Sequence, residues 1–178
     1  NRMLQRVREA AELLLLDGAN VVQIENVMRG FGYAMGPFEA QDMSGLDIAW
    51  ANRRRQAPMR DPSRRYSQVS DLVCEEGWLC RKAGCGWYVY EDGKRSHPNP
   101  QIERIVDDEA KRHGIARIKI ADQEVLETIL MALINEAASI LDEGIARKAA
   151  DIDLVLVHGY GFPRFRGGPL CHADTMGV

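Results

Sequence analysis

Two stretches of this 178-residue chain repeat one another. Gly30-Phe31-Gly32-Tyr33, then Gly36-Pro37-Phe38, Asp42 and Gly45 form the first stretch. Gly159-Tyr160-Gly161-Phe162, then Gly168-Pro169-Leu170, Asp174 and Gly177 form the second. Gly159 lies 129 positions after Gly30 and Gly168 lies 132 after Gly36, so the second copy carries a three-residue insertion. The match extends upstream. Glu9 to Leu14, ending at Asp17-Gly18 and followed by Ile24-Glu25, parallels Asn135 to Leu141, ending at Glu143-Gly144 and followed by Ile152-Asp153. A repeat of this kind is one supersecondary unit made twice and packed against its copy. It predicts a first repeat over 1–97, a connecting segment over 98–121 and an incomplete second repeat over 122–178.

The local signals are helical almost throughout, so the fold class expected is all-α. Leu4, Val7, Ala11, Leu14 and Leu15 recur at helical spacing over 3–16, with Gly18 as the stop. Asn20 is placed to cap the next helix, with Val21, Ile24, Val27 and Met28 on one face. Gly36-Pro37 opens a third helix, since proline at the first turn gives up no hydrogen bond. Leu46 to about Arg55, Val69 to Glu76 and Ile102 to His113 read as further helices. Trp87-Tyr88-Val89-Tyr90 is the one strand-like run, ending at the Asp92-Gly93 turn. Asp122 is expected to cap a helix over 123–143 that is apolar nearly all round, and a helix of that kind is a central pillar.

Several chemistries are weighed and set aside. The Gly30-x-Gly32-x-x-x-Gly36 run would need a preceding strand to cradle a nucleotide, and helical periodicity precedes it. Cys74, Cys80, Cys85 and His97 lack the paired spacing of structural zinc sites, so no metal is expected. Arg53, Arg54, Arg55, Arg60, Arg64 and Arg65 concentrate charge in one loop. That loop reads either as solvated or as contacting a phosphate-bearing ligand such as the nucleotide end of coenzyme A. His158 is read as a helix-end residue rather than a catalytic one. A net charge of −3 gives no pull toward nucleic acid, and no apolar run reaches the roughly 18 residues of a bilayer span. Four cysteines without a disulfide framework point to a reducing compartment. The start at Asn1 reads as the edge of a fragment.

Met35-Gly36-Pro37-Phe38-Glu39, Asp42 and Gly45-Leu46-Asp47 resemble the C-terminal domain of L-3-hydroxyacyl-CoA dehydrogenases. Lys82-Ala83-Gly84-Cys85-Gly86-Trp87-Tyr88 resembles another segment of that domain, with Cys85 standing where lysine is common. His158 to Pro163 with Gly167-Gly168-Pro169 is similar to the second copy found in multifunctional β-oxidation enzymes, which fuse enoyl-CoA hydratase to the dehydrogenase. The resemblance implies a parent that binds NAD on a preceding Rossmann domain, absent from this chain, along with the catalytic His-Glu pair. The fragment itself is then expected to hold no cofactor and to be inactive alone. By the same resemblance Asn1 lies near the C3 oxygen of an acyl-CoA substrate, and Gly36, Pro37 and Phe38 contribute to substrate binding.

Apolar faces built for the missing partners are expected bare along Leu4, Val7 and Ala11 and around Phe162 and Phe165, favouring self-association. The compartment implied is cytoplasmic for a bacterial source, which is favoured, and peroxisomal for a eukaryotic one. A non-catalytic helical interaction module is the alternative function.

Overall fold

The computed structural model describes residues 1–177, and among these the chain is all-α apart from one small hairpin. The elements are α1 (Arg2–Asp17), α2 (Val21–Phe31), α3 (Pro37–Ser44), α4 (Leu46–Gln56), α5 (Val69–Glu75), β1 (Tyr88–Glu91), β2 (Lys94–Pro98), α6 (Gln101–Arg112), α7 (Asp122–Asp142), α8 (Ala149–Gly159) and α9 (Pro169–Met176). Short 3-10 turns at Ala57–Met59, Arg81–Ala83 and Arg164–Arg166 join them.

Helices α1 and α7 form an antiparallel pair at the centre. At one end Arg2 bonds Glu136 and Glu143, and Arg6 bonds Glu136 at 2.7 Å. At the other, the Ile118 amide donates to the Asp17 carbonyl at 3.0 Å. Val125 and Ile129 of α7 enter one buried cluster with Leu14, Leu15, Ile24 and Phe38. Leu130, Leu133 and Ala137 enter a second with Met3, Phe31, Leu156 and Phe162. Helix α7 therefore spans two cores, which is why its sequence is apolar on more than one side.

That packing corrects one expectation. Two of the three α1 residues expected to be bare are covered: Ala11 is fully buried and Val7 packs against both clusters, while Leu4 is half-buried in the wall of an open cleft. Phe162 is buried as well, and of that group only Phe165 stays open, at 76% exposure.

Two local differences have simple causes. Strand β2 gave no sequence signal because all its residues are exposed, so Lys94-Arg95-Ser96-His97 shows no apolar alternation. The turn is as read, with Asp92 and Gly93 both at positive φ. Helix α7 begins one residue early, with Ala121 at its cap and Asp122 already inside; the Asp122 carboxylate accepts from the Gln23 side chain at 2.8 Å. Asn20 does cap α2, its Oδ1 accepting from the Gln23 amide at 2.9 Å.

One device occurs twice. Glu25 of α2, buried, turns its carboxylate onto the start of α3 and accepts from the amides of Gly36, Phe38 and Glu39 at 3.0, 2.8 and 3.1 Å. Asp153 of α8, also buried, does the same for α9, accepting from Leu170 and Cys171 at 2.8 and 3.0 Å. In each case an acid satisfies the orphan amides of a helix N-terminus and meets the positive end of its dipole. Gly36 is needed there because a Cβ would lie 2.6 Å from the Glu25 carboxyl carbon.

Asp42 anchors the hairpin to α3. Its carboxylate accepts from the Trp87 and Tyr88 amides at 2.9 and 3.0 Å and from the Tyr90 hydroxyl at 3.0 Å. Burial outweighs these three donors and pushes the carboxyl up to about 6, against 3.8 for the free acid. Between those values the folded chain holds a proton that the unfolded chain has lost. Stability from this site is thus greatest below about pH 4 and falls as pH rises through 6, by about 2 to 3 kcal/mol in all. The D42N variant lacks that titration. Urea unfolding should show the stability gap between wild type and D42N narrowing from pH 4.5 to 7.5; a gap that is constant or widens would refute the assignment.

Candidate functional site

A cleft of about 750 Å³ runs between α1, the α3–α4 junction and the 57–67 loop. On α1 its wall is Asn1, Leu4, Gln5, Arg8 and Glu12, a stripe at helical spacing. Ser44, Gly45, Ile48 and Arg53 face it from the other side, and Arg60, Arg64, Arg65 and Tyr66 close one end.

The cleft is cationic, and its charges are unequally committed. Arg6 is held by Glu136 and by Glu9 at 2.6 Å, and Arg65 by Asp17 at 2.8 Å. Arg53 gives its Nε to Asp71 at 2.6 Å, while its Nη2 is buried with no partner. Arg60 and Arg64 lie over the Tyr66 ring at 4.8 and 5.9 Å. Arg8 has no hydrogen-bond or ion-pair partner among the described residues. Burial, and then the charge of Arg53, hold its pKa below the ordinary arginine value. Glu12 beside it is fully buried, accepts from the Ser70 hydroxyl, and is pushed upward by desolvation. The cleft therefore offers an unpaired guanidinium, that of Arg8. A free guanidinium of this kind is stabilised by an anion such as a phosphate.

The residues singled out from sequence divide in two. Asn1 lines this cleft, about 10 Å along the helix from Arg8. Gly36, Pro37 and Phe38 do not reach it. All three are buried, and Phe38, with no exposure, packs on Trp87 with ring centroids 4.4 Å apart. They sit at the start of α3 under the Glu25 carboxylate. Of the arginine loop, Arg53, Arg60, Arg64 and Arg65 face the cleft, whereas Arg54 stacks on Trp50 at 5.4 Å and Arg55 bonds Asn52 at 2.8 Å. Arg8 escaped sequence reading because attention to the apolar face of α1 passes over its polar stripe.

A dinucleotide does not fit the residues present. Gly30 lies in the last turn of α2 and Gly32 to Gly36 joins it to α3, whose first amides, where a phosphate would sit, are already taken by Glu25. Among the described residues no three His, Cys, Asp or Glu side chains are grouped to hold a metal, and no helix is long and apolar enough to cross a membrane. His158, on the last turn of α8, is exposed, with Nδ1 3.3 Å from Arg164.

Comparison with known proteins agrees with this architecture. The peroxisomal bifunctional enzyme of Danio rerio is 39% identical over 191 aligned residues, covering all of this chain and 27% of that protein. A peroxisomal fatty acid beta-oxidation multifunctional protein of Oryza sativa is 33% identical, again over the whole chain and 25% of the relative. The chain thus spans about a quarter of the length of the curated relatives it matches. The crystal structure of the dehydrogenase part of multifunctional enzyme 1 from C. elegans superposes with a TM-score of 0.73 and 25% identity, covering 92% of this chain and 36% of that one. The family model of the 3-hydroxyacyl-CoA dehydrogenase C-terminal domain matches residues 1–90, which include α1 with Asn1 and the Glu25-capped α3 and end within β1. The chain belongs to the family of 3-hydroxyacyl-CoA dehydrogenase C-terminal domains.

Proposed function

We propose that this chain is the substrate-positioning part of an NAD-dependent 3-hydroxyacyl-CoA dehydrogenase of fatty-acid β-oxidation, with the α1–α4 cleft as the surface that faces acyl-CoA. One observation carries the reading: Asn1 and the uncommitted Arg8 line the same cleft, at separate points along one helix. An asparagine amide donates to a neutral or developing carbonyl oxygen without changing charge. A guanidinium farther along suits the phosphates at the other end of the same elongated thioester. NAD and the proton-accepting histidine belong to the parent protein outside these residues. Two copies of one helical unit, related by the Glu25 and Asp153 devices, form the domain. The compartment is peroxisomal for a eukaryotic source, in keeping with the relatives' names.

Arg8→Gln in the longer protein tests this. One charge-assisted hydrogen bond is worth about 1.5 to 3 kcal/mol. The Michaelis constant for a 3-hydroxyacyl-CoA should rise roughly 10- to 100-fold with turnover little changed. For the same acyl group on N-acetylcysteamine, which has no phosphates, the variant should match wild type. An equal penalty on both thioesters would place Arg8 in scaffolding instead.

A further inference from the structure

Cys80 and Cys85 sit at the two ends of a tight turn. The Cys80 amide donates to the Cys85 carbonyl at 3.2 Å, and the two residues are partners in an antiparallel bridge. Between them Arg81–Ala83 forms a 3-10 turn, closed by the Ala83 amide on the Cys80 carbonyl at 3.1 Å. Opposite residues of an antiparallel bridge carry their side chains on the same face. A hydrogen-bonded pair has its Cα atoms about 5.5 Å apart, inside the range of about 4.4 to 6.8 Å that a disulfide spans. Both residues are partly exposed and both thiols are free. Of the remaining thiols, Cys74 is buried and Cys171 is exposed.

We infer that Cys80 and Cys85 form a redox pair that closes reversibly into an intramolecular disulfide, with a small-molecule disulfide such as oxidised glutathione as the oxidant. Cys80, flanked by Arg81 and Lys82, attacks first. Its thiolate bonds one glutathione sulfur, the S–S bond breaks, and one glutathione leaves as thiolate. The Cys85 thiolate then bonds the Cys80 sulfur and expels the second glutathione. The two leaving thiolates take up the two cysteine protons. The cysteine pair loses two electrons, and the glutathione disulfide gains them. Desolvation and the nearby Asp42 carboxylate hold the Cys85 thiol above its ordinary value, which fits the second, resolving role.

The bond would staple two segments that grip the edge of the cleft. The Leu79 carbonyl, one residue before Cys80, accepts from the Leu46 amide at 2.8 Å at the start of α4. Beyond Cys85, Trp87 and Tyr88 are held by Asp42. Asn99 now donates to the Cys85 sulfur at 3.3 Å and to the Gly86 carbonyl at 3.0 Å, and the second bond persists if the sulfur turns away.

The test equilibrates this chain with oxidised glutathione, alkylates free thiols and maps peptides by mass. In wild type the peptide spanning 80–85 should be unalkylated and about 2 Da lighter than its reduced form, reverting with dithiothreitol. In Cys85→Ser, Cys80 should instead be trapped as the glutathione adduct. Four alkylated cysteines after oxidant exposure would overturn the proposal. A persistent wild-type adduct at Cys80, or disulfides that join Cys171 between chains while 80–85 stays unbridged, would overturn it as well.

Discussion

Replacing Gly18 by alanine is expected to destabilise the chain by about 3 to 5 kcal/mol, the largest loss from adding a single methyl group at its surface. Two causes act together. Gly18 ends α1 at φ 134°, a conformation that costs an L-residue about 1 to 3 kcal/mol. A Cβ there would also overlap the backbone carbonyl of Ile118, which cannot swing aside as a side chain can. The Ile118 segment is pinned: its amide bonds the Asp17 carbonyl at 3.0 Å, and Arg117 beside it donates to the Leu15 and Ala19 carbonyls at 3.2 and 3.0 Å. Relief would break the connection from α6 to α7. For a chain of this length the loss corresponds to a fall in Tm of about 10 °C. Gly30→Ala is the control, because Gly30 lies within α2 with nothing near its missing Cβ. It should gain about 0.5 to 1 kcal/mol from helix propensity. Equal stability of G18A and wild type in urea unfolding would show that the α1–Ile118 junction yields where it is here described as rigid.

Much of the secondary structure was readable because its signals are local. The α1 stripe, the Asn20 cap and the Gly36-Pro37 start of α3 each depend on residues within one or two turns, and each stands within a residue or so of its expected place. What escaped is tertiary. That α7 covers the Val7–Ala11 face depends on two helices more than a hundred residues apart, and nothing in α1 alone says which partner lies over it. The Gly-Pro-Phe block carries the family resemblance so strongly that it invited a ligand role. In the fold the same block lies where backbone comes close to the Glu25 carboxylate. A clue was present, since Ile24-Glu25 and Ile152-Asp153 each place an acid next to an apolar core position, ahead of the two similar Gly-Pro stretches. An acid so placed needs donors, and the nearest unsatisfied donors are the amides of the helix that follows. The cleft was legible only at its two ends, as Asn1 and as the arginine loop. Arg8, which links them, is one polar residue among many on a half-buried helix.

Asn1 offers the second large effect. If its amide donates to the C3 oxygen, that bond strengthens as the alcohol oxygen becomes a carbonyl, so its loss falls on the transition state more than on binding. Truncation to alanine removes one such donor, worth about 1 to 3 kcal/mol, or roughly 5- to 150-fold in rate. The side chain at the mouth of the cleft makes no hydrogen bond in the described structure, so the substitution should leave folding intact. That separates a kinetic effect from a structural one. Steady-state kinetics of Asn1→Ala in the full-length protein, on a short-chain 3-hydroxyacyl-CoA, is therefore the most direct measurement. Turnover is expected to fall by that factor while the Michaelis constant changes by less than about threefold. Wild-type turnover, with or without a raised Michaelis constant, would contradict a role for this cleft in positioning the reacting end of the substrate.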